Sequence, residues 1–334
     1  MADLAQTPAA AAPPMPGRQL RAGRVLLLLA LLALVAIALF MTLGARGSWS
    51  FVLPFRGTKL LALLLVAHAV AVSTVLFQTV THNRILTPAI MGFDSLYVLI
   101  QTGLVFFLGA AGAASLDRNA QFGVEILLMV GFSGLLFTWL FSGASRSLHL
   151  LILVGIVFGT LFRSLSGFMQ RLLDPNEYDI LQDMFFASFN SVDPTLLAVS
   201  CGLILMVSAI VWRLLPQLDV LALGRETAIN LGVPHRQSVL LVLVLVTVLV
   251  SVSTALVGPI TFFGLLVANL AYLLAGSPRH RHILPVAILL AIICLVGGQT
   301  ILERVFAFDT ALSIVIEFLG GLVFIVLLVR GAAR

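Results

Sequence analysis

Long apolar runs, most of them long enough to cross a bilayer, alternate with short polar breaks through nearly the whole chain. A helix needs about 20 apolar residues to cross the hydrocarbon core. On that rule the runs predict spans near 25–44, 60–80, 86–109, 122–141, 148–170, 194–213, 237–257, 259–275, 283–302 and 310–330. The fold class is therefore all-α, a polytopic membrane protein with about ten transmembrane helices. The run 259–275 is short for a crossing and opens on Gly258-Pro259. The stretch LLDPNEYDILQDMFFASFNSV, residues 172–192, is too polar to cross and predicts a loop with a short amphipathic helix.

One break is unlike the others. LALGRETAINLGVPHRQ, residues 221–237, is polar and mixed in charge. The residues between Gly224 and Gly232 suffice for about two helical turns. Gly224 is acceptable at an N-cap, and Gly232 suits the left-handed position that follows a helix. Glu226 falls in the first turn, where the helix dipole favours a carboxylate. Ala228, Ile229 and Leu231 give a small apolar patch. A helix this short is not stable alone, so the rest of the chain or a partner must hold it. From the residues alone it is either a connector lying on the membrane surface or a helix that docks into another protein.

Composition agrees with the pattern. Of 334 residues, 60% are hydrophobic and 10% charged, and the mean hydropathy is +1.14; soluble domains carry about 25% charged residues. The sequence pI near 10.0 does not imply nucleic acid, because the cations are scattered arginines with a single lysine, Lys59. Cys201 and Cys294 sit in apolar runs and read as small buried hydrophobes. The Ala/Pro-rich residues 1–21 read as a disordered tail, and 22–334 as the transmembrane domain. Arg18, Arg21 and Arg24 precede the first run, which is too long for a signal-peptide core and reads as a retained span.

With an inside N-terminus and ten spans, the outside cations are Arg46, Arg56, Lys59, Arg118, Arg163, Arg171 and Arg304, and the other twelve of the 19 fall inside. Cytoplasmic loops carry the excess of Lys and Arg. Both termini and the polar break, about 221–236, are then cytoplasmic.

LALGRETAINLGV resembles the cytoplasmic coupling segment of the FecCD-type permeases of iron-siderophore and cobalamin importers. SVSTALVGPITFFGLLVANLAYLLAGSPRHRHILP resembles the family's next two spans. LVGGQTILERVF and LGGLVFIVLLVR resemble its last two, and VSTVLFQTVTHNRILTPAIMGFDSLYVLIQTG its second-to-third span region. The likeness runs from about 25 to 330.

What the resemblance implies is a ten-helix permease subunit of an ATP-binding-cassette importer, in the inner membrane, with no catalytic site and no cofactor of its own. ATP and magnesium belong to separate cytoplasmic ATPases. A second permease completes the pathway, and a soluble binding protein delivers the ferric chelate from outside. The coupling contacts would be Gly224, Arg225, Glu226, Ala228, Leu231 and Gly232. Arg56, Lys59 and Arg304 would meet carboxylates on the binding protein; snorkelling at the interface explains the same residues. Glu303 stands next to Arg304, where it could neutralise it. The fifth span, with Gly155, Gly159, Thr160 and Ser164, would line the pathway, although small residues also serve close helix packing.

The chain departs from the family at three places. Its turn after the second span reads Asn83-Arg84-Ile85-Leu86-Thr87-Pro88 in place of Asn-Pro-Leu-Ala-x-Pro. Asp94 stands where a small polar residue is usual, and Ala268-Asn269 replaces a Pro-His pair. These departures resemble the ferric-siderophore branch, whose members pair two different permeases, so a heterodimer is expected.

Two other classes remain open: a secondary, ion-coupled transporter, and an importer of cobalamin or haem on the same fold. An ion-coupled mechanism needs ionisable groups converging near the midplane, but His68, Asp94 and Glu317 are dispersed. Glu317 reads as an interhelical hydrogen-bonding group. No phosphate-binding GK[ST] loop and no HExxH pair occur. The arginines flanking His280 and His282 disfavour a cation there, so no metal site is expected.

Overall fold

The computed structural model describes residues 16–45, 48–142, 148–185, 188–190, 192–304 and eight positions between 315 and 326. Among them are eleven α-helices: α1 (Pro16–Thr42), α2 (Trp49–Thr81), α3 (Phe93–Ala114), α4 (Arg118–Ser142), α5 (Leu148–Gln170), α6 (Pro175–Phe185), α7 (Pro194–Leu221), α8 (Arg225–Asn230), α9 (His235–Val257), α10 (Phe263–Leu274) and α11 (His280–Arg304). Eight of these are long and apolar enough to cross a membrane. The expected tenth span falls largely outside the described residues, as does Glu317; the described positions between 315 and 326 are helical.

Helices rather than strands follow from the solvent. In hydrocarbon each backbone N–H and C=O must be satisfied within the segment. That rule overrides the weak helix propensity of the many valines in α9. α2 and α9 form the buried centre of the bundle, while α1 lies at the periphery. α2 packs along both α9 and α11, α3 along α5, and α1 along α11.

Three boundaries differ from the sequence expectation. α1 begins at Pro16, inside the stretch read as tail. α2 begins at Trp49 rather than near 60, so Arg56 and Lys59 lie on a helix. The eighth apolar run is helical only in part: Gly258 (φ 99°) caps α9, and α10 starts at Phe263 and has 12 residues, roughly 18 Å of rise against a core of about 30 Å. Gly264 of α10 lies against Thr74 and Val70 of α2, leaving no room for a Cβ.

The polar stretch 172–192 does carry an amphipathic helix, α6. Its Glu177 accepts the Ala110 backbone N–H (3.2 Å) next to Gly109, whose φ of 72° interrupts α3. α7 opens with Pro194 behind an N-cap, Asp193, whose carboxylate accepts from the N–H groups of Thr195 (2.7 Å) and Leu196 (3.4 Å). Those hydrogen bonds hold Asp193 below the usual carboxylate range, because they favour the charged form.

Candidate functional site: the coupling helix and the two ends of the bundle

α8 forms where the glycine pair predicts it. Gly224 (φ 102°) is its N-cap and Gly232 (φ 81°) follows it. The exit is a Schellman turn: the Val233 N–H reaches the Ala228 carbonyl (3.0 Å) and the Gly232 N–H the Ile229 carbonyl (3.0 Å). Those two bonds satisfy carbonyls that the helix end would otherwise leave open. α8 packs against α7 and α9.

Its faces divide the expected contact residues. Ala228 is fully buried in the core, so it anchors α8 to the bundle and does not present a surface to a partner. Arg225, Glu226, Leu231 and Gly232 are exposed. Leu223, Ile229 and Leu231, at 61%, 51% and 60% exposure, add an apolar patch to that face. A surface with apolar centre and charged rim is the anatomy of a protein contact.

At the same end, the turn after α2 meets α10. The Arg84 carbonyl accepts from Gln78 Nε2 (2.8 Å) and Asn269 Nδ2 (3.2 Å). The Arg84 guanidinium lies over the Tyr272 ring, 4.6 Å from its centroid. Two departures from the family pattern, Arg84 and Asn269, thus meet in space, Asn269 through the backbone of Arg84 rather than its side chain. Asp94 accepts from the Thr261 hydroxyl (3.0 Å), tying α3 to the broken segment before α10. His68 is paired with Ser208 of α7 (2.6 Å).

The opposite end corrects the expected docking cations. Arg56 Nη1 donates to the carbonyls of Phe40 (2.8 Å), Met41 (3.0 Å) and Leu43 (3.0 Å), and Nη2 to Gly44 (3.2 Å). It closes the C-terminus of α1, where orphan carbonyls and the dipole favour a cation. Lys59 is buried and paired with Glu303 at 2.7 Å. Glu303 thus neutralises Lys59, not its neighbour Arg304. Arg304 is exposed, and its guanidinium packs on Gly44.

The four pathway candidates of α5 separate as well. Gly155 and Gly159 face the backbone at Met91 and Gly92; a Cβ on Gly159 would stand 3.0 Å from Gly92 Cα. They are packing residues, and any larger side chain would push α3 from α5. Thr160 and Ser164 lie on the exposed side of α5 beside Leu161 and Leu165.

One group escaped the sequence reading. Glu125 of α4 is 3% exposed and accepts from Gln101 Nε2 at 2.7 Å, while Gln121 Nε2 donates to Gln101 Oε1 at 3.2 Å. They line a cavity of about 590 Å³ with Tyr97, Arg118 and Asp193. The signal was an acid and an amide four residues apart at the start of a span, on one helix face.

Comparison with known proteins decides the relationship. The FecCD transport family matches residues 22–330. The chain belongs to the FecCD transport family. It is 48% identical to the petrobactin import system permease protein YclO of Bacillus subtilis, over 90% of this chain and 95% of that one. It is 39% identical to the petrobactin import system permease protein FatC of Bacillus anthracis, over 83% and 78%. Its fold matches an inward-facing metal-chelate type ABC transporter with a TM-score of 0.81 and 25% identity, covering 92% of this chain and 99% of that one. As a family member it is a multi-pass membrane permease, and the resemblance carried by its motifs stands.

Proposed function

We propose that the chain is a permease subunit of an ATP-driven importer that carries a ferric siderophore across the plasma membrane, with both termini and α8 on the cytoplasmic side. The observation that carries this reading is α8 itself: a two-turn helix anchored inward by Ala228 and presenting Leu223, Ile229 and Leu231 outward. The siderophore cargo is supported by relatives named as petrobactin permeases.

In this mechanism separate ATPases bind the exposed face of α8. Apolar contact supplies the hold, and Arg225 and Glu226 at the rim set register. ATP and magnesium reside in those subunits; this chain supplies no catalytic group and binds no cofactor. A second, different permease faces α5, where Thr160 and Ser164 join an apolar strip, and a binding protein meets the opposite end. Arg304 is the favoured contact there, because Arg56 and Lys59 already serve internal carbonyls and Glu303.

Reconstitution into proteoliposomes with the second permease, the ATPases and the binding protein tests the proposal. Uptake of ferric petrobactin that needs ATP and survives collapse of ion gradients supports it. Uptake driven by an ion gradient without the ATPases would establish a secondary transporter instead.

A further inference from the structure

The α8 end contains a hydrogen-bonded chain that joins three helices. Asp219, in the last turn of α7, accepts from both the backbone N–H and the ring Nδ1 of His280, each at 2.7 Å, through the same carboxylate oxygen. His280 is the first residue of α11. Its other ring nitrogen, Nε2, lies 2.8 Å from the hydroxyl of Thr79 near the end of α2. That hydroxyl also lies 2.8 Å from the Val75 carbonyl; with Nδ1–H donated to Asp219, the neutral ring leaves Nε2 as an acceptor, to which the hydroxyl donates. The chain runs from α7 through α11 to the last turns of α2.

Three observations make it more than a cap on α11. First, packing does little of the work between α7 and α11, which touch sparsely, whereas α2 and α11 lie along one another. A cavity of about 850 Å³ opens here, bounded by Thr79, Asp219, Leu223, Tyr272 and His280. Second, the imidazole is sealed at 2% side-chain exposure while Asp219 keeps 32%; the joint is fixed on its α2 and α11 side and reaches the cavity on its α7 side. Third, Asp219 is tied to α8 without slack. The Ala222 N–H bonds the Leu218 carbonyl (3.0 Å), the Gly224 N–H the Leu221 carbonyl (3.1 Å), and the Ala228 N–H the Gly224 carbonyl (2.9 Å). A displacement of α8 therefore moves Asp219.

We propose that Asp219, His280 and Thr79 are positioning residues that carry displacement of α8 into α11 and α2, and so set how tightly transport follows ATP hydrolysis. The inference rests on the ATP-coupled reading above. Between α7 and α11 this polar link has few parallel packing routes, whereas α7 also reaches α2 and α9 by packing. Removing it leaves α8 able to bind an ATPase but less able to move the core.

The test compares cargo moved per ATP hydrolysed in proteoliposomes of the full complex, with ferric petrobactin as probe. Asp219→Leu, which removes the acceptor oxygen, and His280→Ala are each expected to lower that ratio about fivefold or more, the lower end of coupling between sites. ATPase co-purification should stay normal. The double variant should fall no further than either single one, because the residues act in one chain. Thr79→Val should lower the ratio less. If His280→Ala does not assemble, Asp219→Leu, which keeps the branched shape of Asp and carries no acceptor, gives the result. ATP-dependent uptake with an unchanged ratio in Asp219→Leu overturns the link while leaving the importer reading intact. Uptake by the unmodified complex that needs no ATP overturns the importer reading, and the link with it.

Discussion

At the end of the bundle that joins α1 to α2, charge is turned inward: Arg56 closes α1 and Lys59 is buried against Glu303. At the α8 end, Arg225 and Glu226 stand exposed around an apolar patch, and the buried Ala228 holds the helix down. The same residue types thus do opposite jobs. A cation beside orphan carbonyls or a buried carboxylate is part of the fold, whereas a cation beside exposed leucines is part of a surface. Position on a span end does not distinguish the two; the partner does.

Four substitutions probe that contrast. Glu303→Ala has the largest expected effect on stability, because it removes the carboxylate paired with the buried Lys59; breaking such a pair costs on the order of 3–5 kcal/mol. Thermal unfolding of the purified chain in detergent measures it, and an unshifted melting temperature would show that the pair does not hold that end. Ala228→Leu overfills the seat of α8, for about 1–3 kcal/mol, and should expose the segment 221–236 to protease. Arg56→Ala releases the α1 terminus at a cost of about 1–2 kcal/mol, read as faster amide exchange near Phe40–Gly44. Leu231→Ser should alter stability by less than about 0.5 kcal/mol and yet lower both ATPase capture and uptake. Equal loss of stability and uptake in Leu231→Ser would erase the distinction between the two ends.

Much of this was legible beforehand because the signals are local. Gly224 and Gly232 bracket α8 since each supplies a backbone angle that other residues resist. The apolar runs marked the spans because the bilayer imposes a length. What the runs could not give was depth and partner. Arg56 and Lys59 looked like loop cations because polar residues inside the helix α2 mimic a boundary. Adjacency in the chain sets Glu303 beside Arg304, whereas its partner Lys59 is distant in sequence. Gly155 and Gly159 carry one small-residue spacing with two meanings, and the approach of Gly92 settles it as packing. The hydrogen bond from Asn269 to the Arg84 carbonyl crosses from α10 to the α2 turn, beyond the reach of any local pattern.

The central claim, that α8 is the handle by which an ATPase moves this subunit, is tested most directly by cross-linking. With Cys201 and Cys294 replaced by serine, a cysteine at Leu231 would be treated with a short bifunctional reagent in the assembled complex. The account predicts an adduct with the ATPase subunit, with yield that changes on adding ATP. A cysteine at position 231 that never links to the ATPase, and is labelled by impermeant reagents from outside intact cells, would contradict it.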